Sequence, residues 1–215
     1  EIINRWHYPV ETIHVTTTDG YILEIHRIPR GKVAGNSTRN RPVILFMHGL
    51  MSSSAQFIFN LPHQSPAFVF ADAGFDVFLG NLRGTPYGRK HIQYNKYNPE
   101  FWRFSLDEHM KCDLDALING ALTSTNASYL YYVGHSQGAV IGLAKLAQDP
   151  KMREKVFQMG FSILSYSYHS YYLPNLVSLW LTSFWWKNDK DAQRTLEIKH
   201  FFAWAPALLY RPMIR

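Results

Sequence analysis

Cysteine is almost absent from the sequence, which has 215 residues and Cys112 as its single cysteine. One cysteine cannot form an internal disulfide, so a fold held together by internal disulfides is excluded. For the same reason, cysteine usage does not indicate a compartment. Cys112 falls in a stretch that predicts a helix, and we interpret it as a core residue rather than as a nucleophile.

Long runs of one kind of residue are also missing. The unbroken apolar stretches are shorter than the roughly 18–20 residues that a membrane-spanning helix needs, so we predict no transmembrane span. The formal net charge is +6, but Lys and Arg are scattered along the chain. This distribution favours a solvated basic surface over a nucleic-acid site, and we predict no nucleic-acid partner. No internal repeat or low-complexity tract is present, and the oligomeric state cannot be predicted.

The motifs of common cofactor sites do not occur. The sequence contains no HExxH and no CxxC pair, so we predict no metal site. It also has no GxGxxG and no phosphate-binding loop ending in GK[ST]. The sequence therefore predicts a protein without a cofactor.

Apolar strand-like segments alternate with helix signals along the chain. The segment 13–28 alternates around Asp19-Gly20 and predicts a β-hairpin. Continuous apolar runs predict buried parallel strands at 43–49, 75–81, 129–134 and 200–206. Helices are predicted from Ser65 to Gly74, from the capping box "SLDE" at 105–108 toward Leu122, and after Ser136. This alternation predicts an α/β fold, a mostly parallel sheet with helices on both faces and an antiparallel N-terminal hairpin.

Ser136 stands between two glycines where a predicted strand becomes a helix. In "YYVGHSQGAV" the residues Gly134, His135, Ser136 and Gly138 form a G-x-S-x-G pattern. A sharp strand-to-helix turn can lift the serine above the carboxyl edge of the sheet, and its neighbours at minus two and plus two must be small. The pattern predicts that Ser136 is a nucleophile; a glycine-rich turn with an inert serine is the alternative.

A second turn ends an earlier strand at the same edge of the sheet. In "FMHGL", Gly49 allows a tight turn that can aim the backbone N–H of Leu50 at the site. Together with the N–H of Gln137 it would form an oxyanion hole. An ordinary loop is the alternative for this turn. Neither His48 nor His135 is placed to act as a base for the serine, and we interpret both as packing or supporting residues.

The chain resembles the acid lipases, the gastric and lysosomal lipases of the α/β-hydrolase fold. The resemblance covers most of residues 3–156, and "FFAWAPALLY" resembles the next strand of the family. The stretches that carry it are "TTTDGYILEIHRIPRG", "VILFMHGLMSSSAQFIFNLP", "ADAGFDVFLGNLRG", "EFWRFSLDEHMKCDL" and "YVGHSQG". It implies serine-dependent hydrolysis of triacylglycerol or cholesteryl esters at a lipid–water interface, with Ser136 as nucleophile and Leu50 and Gln137 as oxyanion donors.

The sequence departs from the family pattern in its last quarter. The resemblance places the triad Asp and His after strands later than "FFAWAP", and Asp189, Asp191 and His200 match neither position. We therefore expect the triad Asp and His, the lid and the last strands to lie outside this sequence. An inactive relative that binds lipid without turnover is the alternative to an active lipase.

An aromatic segment at 157–198 interrupts a connection that is short in the family. A lipid-facing insertion, a translated intron and a splice variant are three explanations, of which we favour the translated intron. The chain then divides into a hairpin region (1–40), a nucleophile-bearing core (41–156), the aromatic insertion (157–198) and a further core strand (199–215), all parts of one partial α/β-hydrolase domain.

Two sequons, at Asn36 and Asn126, are candidate glycosylation sites. They agree with the secreted or lysosomal setting that the resemblance implies. The chain begins at Glu1 without a signal peptide, and we expect it to be a processed or trimmed product.

Overall fold

A computed structural model describes residues 1–32 and 41–164, together with two short strand pieces at 180–181 and 186–187. The strand predicted at 200–206 and most of the aromatic segment lie outside these residues. Asn36 lies outside them as well.

The predicted hairpin is confirmed. Strands β1 (Glu11–Thr16) and β2 (Tyr21–Ile28) pair antiparallel. The turn between them is closed by the Tyr21 N–H, which donates to Thr17 Oγ1 at 2.9 Å. Gly20 has a φ of 97°, a conformation that glycine adopts without strain.

The remaining strands extend this hairpin into one sheet with a parallel centre. They are β3 (Val43–Met47), β4 (Asp76–Gly80), β5 (Lys90–His91), β6 (Leu130–His135), β7 (Val156–Leu164), β8 (Trp180–Leu181) and β9 (Trp186–Lys187). The main order is β1-β2-β4-β3-β6-β7-β8. Strands β4, β3, β6 and β7 run parallel, whereas β2 joins β4 in antiparallel pairing. The short strands β5, β8 and β9 all pair antiparallel, β5 with β2 and the other two with β7.

Strand β7 begins where the aromatic segment was predicted to begin. Its residues 156–162 pair in parallel with β6, the strand that leads to Ser136. The proposal that 157–198 is an insertion remains a prediction.

Six helices lie in the described residues. They are α1 (Ile2–Arg5), α2 (Pro66–Asp72), α3 (Leu106–Glu108), α4 (Leu114–Thr125), α5 (Gln137–Gln148) and α6 (Pro150–Lys155). Short 3₁₀ turns occur at Ser54–Phe57, Pro62–Gln64 and Pro99–Trp102. Within this part of the chain, no helix has the length and apolar character that crossing a membrane requires.

Helices α2 and α3 begin after the serines that were predicted as their N-caps, but only one of these serines makes a capping hydrogen bond. The capping box is confirmed, since Asp107 N–H donates to Ser105 Oγ and Ser105 N–H donates to Glu108 Oε2. Ser65 occupies the N-cap position of α2 as predicted, but its hydroxyl donates to the Asn60 carbonyl instead of capping the helix. Pro66 has no N–H to cap, which removes part of the need for such a bond.

A π-helical turn, His109–Asp113, joins α3 to α4. The sequence predicted one continuous helix here and gave no sign of the extra residue in this turn. Cys112 lies in the π turn, half-buried and outside both hydrophobic clusters. The prediction that Cys112 is a core residue is therefore wrong.

The sheet carries a hydrophobic core on each face. Alternate strand residues point to opposite faces, so Leu45 and Met47 pack with α4 and α5 on one face. Ile44 and Phe46 pack with α2 and the N-terminal residues on the other. Both sets are essentially fully buried, which explains why β3 reads as a continuous apolar run.

Candidate active site

Ser136 lies in the turn between β6 and α5. Its φ of 49° and ψ of −113° lie outside the regions that L-residues prefer. Such a backbone costs of order 1–3 kcal/mol for a non-glycine residue, and strain of this kind is concentrated at functional sites. The first N–H groups of α5 have no partner within the helix, so this helix end favours negative charge beside Ser136.

The two flanking glycines permit this turn because no side chain would fit. A Cβ on Gly134 would lie 2.5 Å from the backbone nitrogen of Ala139, and one on Gly138 would lie 2.4 Å from the Met47 carbonyl oxygen. The buried Tyr132 hydroxyl donates to the Gly138 carbonyl at 2.6 Å and ties β6 to the start of α5. The spacing of the motif therefore reflects close packing of α5 against β6 and β3.

The turn that follows β3, residues 48–50, lies directly against Ser136. A Cβ on Gly49 would come 2.7 Å from His135 Nδ1 and 3.3 Å from Ser136 Cβ. Gly49 N–H donates to Gln56 Oε1 at 3.1 Å, which anchors the turn on its outer side. The two turns that the sequence predicted to share one edge of the sheet are thus in contact.

His48 holds the peptide group between Gly49 and Leu50. Its Nε2 accepts from the Leu82 N–H at 3.2 Å, so the ring proton is on Nδ1, which donates to the Gly49 carbonyl at 2.8 Å. Burial lowers the pKa of His48 and favours this neutral ring. Because C=O and N–H of one trans peptide point in opposite directions, a fixed Gly49 carbonyl also fixes the direction of the Leu50 N–H.

A cleft of about 530 Å³ opens beside Ser136. Its lining is mostly apolar, and Leu50, Leu106 and Val140 are each about half exposed or more. The full lining consists of Leu50, Phe104, Ser105, Leu106, His109, Ser136, Gln137 and Val140. A largely apolar cleft with a few polar groups at one point suits a ligand with hydrocarbon chains and one reacting polar centre.

The loop after β4 supports the turn at residues 48–50. Asn81 is fully buried; its Oδ1 accepts from the Ser54 N–H at 2.8 Å, and its Nδ2 donates to the Glu24 carbonyl at 2.9 Å. The next residue, Leu82, supplies the N–H that fixes the His48 ring. The run "GNLRG" (80–84) thus supports the turn beside Ser136 through the hydrogen bonds of Asn81 and Leu82.

A buried ion cluster anchors the same loop. Arg83 Nε donates to Asp113 Oδ1 at 2.7 Å, and Arg83 Nη1 pairs with Asp19 Oδ2 at 2.6 Å. The Arg83 and Asp113 side chains are essentially fully buried, and the guanidinium lies 3.9 Å from the Tyr21 ring centroid. Burial raises the pKa of Asp113 to about 7, although the Arg83 cation opposes the shift.

The structure brings together most of the residues that the sequence singled out. Ser136, Leu50 and Gln137 share the cleft, and Gly134, His135, Gly138, His48 and Gly49 shape the two turns. Asn126 is exposed at the left-handed C-terminal end of α4, apart from the cleft lining. Among the described residues, Ser136 Oγ has no hydrogen-bond partner, and no group of three metal-binding side chains occurs.

Three features of the site were not predicted from the sequence: the His48 hydrogen bonds, the Arg83 cluster and His109 in the cleft wall. Buried charged residues carry no local pattern, because their partners are 30 to 64 positions away along the chain. The only signal in the sequence is the residue type: Arg83 and His109 are polar residues within segments that otherwise predict a loop and a helix.

Two family models match the chain. Residues 1–61 match a model described as the partial alpha/beta-hydrolase lipase region, and residues 42–197 match one described as the alpha/beta hydrolase fold. Among solved structures, the chain is similar to an alpha/beta hydrolase from Novosphingobium aromaticivorans, with 18% identity, a TM-score of 0.50 and coverage of 73% of this chain and 45% of that chain. At this identity the likeness shows the fold alone.

Curated relatives are considerably more similar. Human lipase member K is 46% identical and human gastric triacylglycerol lipase 45% identical, each over 73% of this chain. Lipase lipl-3 of Caenorhabditis elegans is 44% identical over 76% of this chain. The chain spans 39% of the length of the two human relatives and 41% of the nematode one.

Proposed function

The chain belongs to the α/β-hydrolase family, and on that premise we propose that the protein is a lipase that hydrolyses neutral lipid esters by serine acyl transfer. The observation that carries the proposal is the contact between two turns, the strained one at Ser136 and the one at residues 48–50, at the base of an apolar cleft. The similarity to gastric triacylglycerol lipase supports a neutral lipid substrate.

Acyl transfer at this site would proceed in two steps. Ser136 Oγ gives its proton to a histidine base, which the family resemblance places beyond the described residues, and attacks the ester carbonyl carbon. The carbon–oxygen bond to the alcohol then breaks, the alcohol leaves with the proton, and the acyl group stays on Ser136. Water hydrolyses this acyl-serine ester and releases the fatty acid.

The developing negative charge would be held by backbone donors. The Leu50 N–H, whose direction is set by His48 through the Gly49 carbonyl, is one donor. The Gln137 N–H, in the first turn of α5, is the other, and the helix end adds a favourable field. Donors that are fixed before the reaction lose no energy to reorganisation, which is why oxyanion holes account for a large share of the rate enhancement.

The apolar side chains around the cleft suit a substrate presented by a lipid–water interface. Leu50 is 70% exposed and Met51 is 98% exposed, both in the turn beside Ser136. Exposed apolar side chains next to a catalytic cleft can contact hydrocarbon chains directly. We extend the proposal to a secreted or lysosomal protein, a placement supported by the exposed sequon at Asn126.

Emulsions of triolein and of cholesteryl oleate test the proposed function with the full-length protein. We expect fatty acid release from at least one of them, and a fall by roughly six orders of magnitude, to background, in Ser136→Ala. Ser124→Ala, at an exposed serine of α4 that does not line the cleft, is the matched control and should keep full activity. Binding of both emulsions without any release would instead support the inactive lipid-binding alternative.

A further inference from the structure

His109 lies in the cleft wall beside Ser136 and has no part in the acyl transfer described above. It belongs to the π turn that joins α3 to α4, and it lines the same cleft as Ser136 and Gln137. The residue is only 8% exposed. Apart from Ser105, Ser136 and Gln137, the rest of the lining consists of apolar side chains, so the imidazole is an additional polar group in a site suited to hydrocarbon.

The hydrogen bond to Gln137 defines where the ring proton of His109 is. The Gln137 Nε2 amide lies 3.1 Å from His109 Nδ1. An amide nitrogen can only donate, so Nδ1 accepts and the proton of the neutral ring is on Nε2. Burial lowers the pKa of His109 to about 4, and the ring is therefore neutral in neutral and mildly acidic solution.

The Nε2–H of His109 is left without a partner in the described part of the protein. The atom is buried, and no protein group there accepts its proton. A buried donor without an acceptor loses its hydration and gains nothing in return, so such groups are rare unless a ligand completes them. The position of His109 in the cleft wall makes the bound substrate the natural source of the missing acceptor.

We propose that His109 Nε2–H donates a hydrogen bond to an oxygen of the substrate outside the scissile ester, so that the site selects glycerides over steryl esters. This inference rests on the proposed lipase function and names the substrate class for it. The carbonyl oxygen of the scissile ester is taken by the Leu50 and Gln137 N–H groups. A glyceride has further ester or hydroxyl oxygens a few bonds away, whereas the alcohol part of a steryl ester is hydrocarbon.

The expected selectivity follows from the cost of an unpaired donor. A site built to hydrogen-bond a substrate group rejects an analogue without that group more strongly than an apolar site rejects a slightly different shape, because the polar group of the protein stays unpaired. A bound steryl ester would leave the His109 Nε2–H without a hydrogen-bond acceptor. An apolar side chain at position 109 should abolish the difference.

The experiment compares diolein and cholesteryl oleate as substrates of full-length wild type, His109→Met and His109→Gln. We expect His109→Met to lower the ratio of the two kcat/KM values by at least about tenfold, mainly through a higher KM for diolein. His109→Gln retains amide donors and should restore part of the preference. Lys111→Met, an exposed residue of the same π turn that does not line the cleft, is the matched control.

A binding readout separates this inference from the proposed function. In the Ser136→Ala background, ¹⁵N-histidine NMR should show the His109 Nε2–H resonance shift on addition of diolein but not of cholesteryl oleate, and no substitution at position 109 is needed. If wild type hydrolyses neither ester but this shift occurs, the lipase proposal fails and the His109 site stands.

Two results would overturn the inference. One is an unchanged substrate ratio in a folded His109→Met protein that still hydrolyses both esters. The other is a His109 resonance that diolein leaves unmoved, which would mean that the partner of Nε2–H is another part of the protein.

Discussion

At the scale of single residues, Ser136 and its glycines were predictable because their constraint is local. The turn needs small residues two positions before and after the serine, and the clash distances at Gly134 and Gly138 show why. His48 was predicted to be a packing or supporting residue, without its hydrogen-bond partners. Its effect on the site depends on Leu82, which is 34 positions away and carries no recognisable signal in the sequence.

His48→Phe tests the role of this histidine in the oxyanion hole. Phenylalanine retains a ring of similar shape but can neither donate to the Gly49 carbonyl nor accept from Leu82 N–H. We expect kcat on triolein to fall by about 10–100-fold with little change in KM, since a misdirected donor acts on the transition state more than on the ground state.

The control for this substitution is His63→Phe, at an exposed histidine outside the cleft. It should leave kcat unchanged. A His48→Phe protein with wild-type kcat would show that the Leu50 N–H is held in place without His48.

At the scale of secondary-structure elements, sequence signals that span only a few neighbouring residues predicted the hairpin and the capping box. The hairpin at Asp19-Gly20 and the capping box at Ser105 were both read correctly from adjacent residues. The π turn at His109–Asp113 was not, because the pattern of apolar residues on either side agrees with a plain helix. This turn buries both His109 and Asp113, one toward the cleft and the other toward Arg83.

The Arg83 cluster joins three elements: the hairpin turn, the loop after β4 and the π turn. Arg83→Gln leaves Asp113 buried without its cation, and breaking a buried pair in this way typically costs about 3–5 kcal/mol. We expect a loss of this size in the free energy of unfolding, measured by urea denaturation of the full-length protein at pH 7.

Arg103→Gln is the matched comparison, because Arg103 is 75% exposed and reaches Glu100 only at 4.0 Å. Its effect should stay within about 0.5 kcal/mol. Equal losses in both variants would contradict the anchoring role that we assign to Arg83.

At the scale of the whole molecule, the alternation of apolar runs and helix signals predicted an α/β fold with a mostly parallel sheet, and the resemblance to the acid lipases implied the α/β-hydrolase fold. The parallel centre, the antiparallel edge and the two cores are all confirmed. The strand β7 was not predicted, because its aromatic-rich sequence has no clear period of two. Its placement depends on pairing with β6 and not on its own pattern.

Stability should fall as the solution becomes acidic. Burial lowers the pKa of His26, His48, His109 and His135, so these rings bind protons in the unfolded chain before they do so in the folded one. For each such histidine, stability is fully present above the unfolded pKa of about 6.5 and is lost toward the folded pKa. Asp113 alone has the opposite effect on stability. Because its pKa is raised, its carboxyl binds a proton in the folded protein at a higher pH than in the unfolded chain.

Urea denaturation at several pH values checks this expectation. The free energy of unfolding should decrease between pH 7 and pH 4.5, and His109→Gln should reduce the slope by at most about 1.4 kcal/mol per pH unit. A slope that is the same in wild type and His109→Gln would show that His109 is protonated equally in the folded and unfolded states.

The central claim is that Ser136 is a nucleophile, and covalent labelling tests it most directly. The full-length protein would be treated with a fluorophosphonate and the modified peptide identified by mass spectrometry. We predict one adduct on Ser136, absent in Ser136→Ala and unchanged in Ser124→Ala. Labelling that persists in Ser136→Ala, or an intact wild-type protein that does not react, would contradict the account.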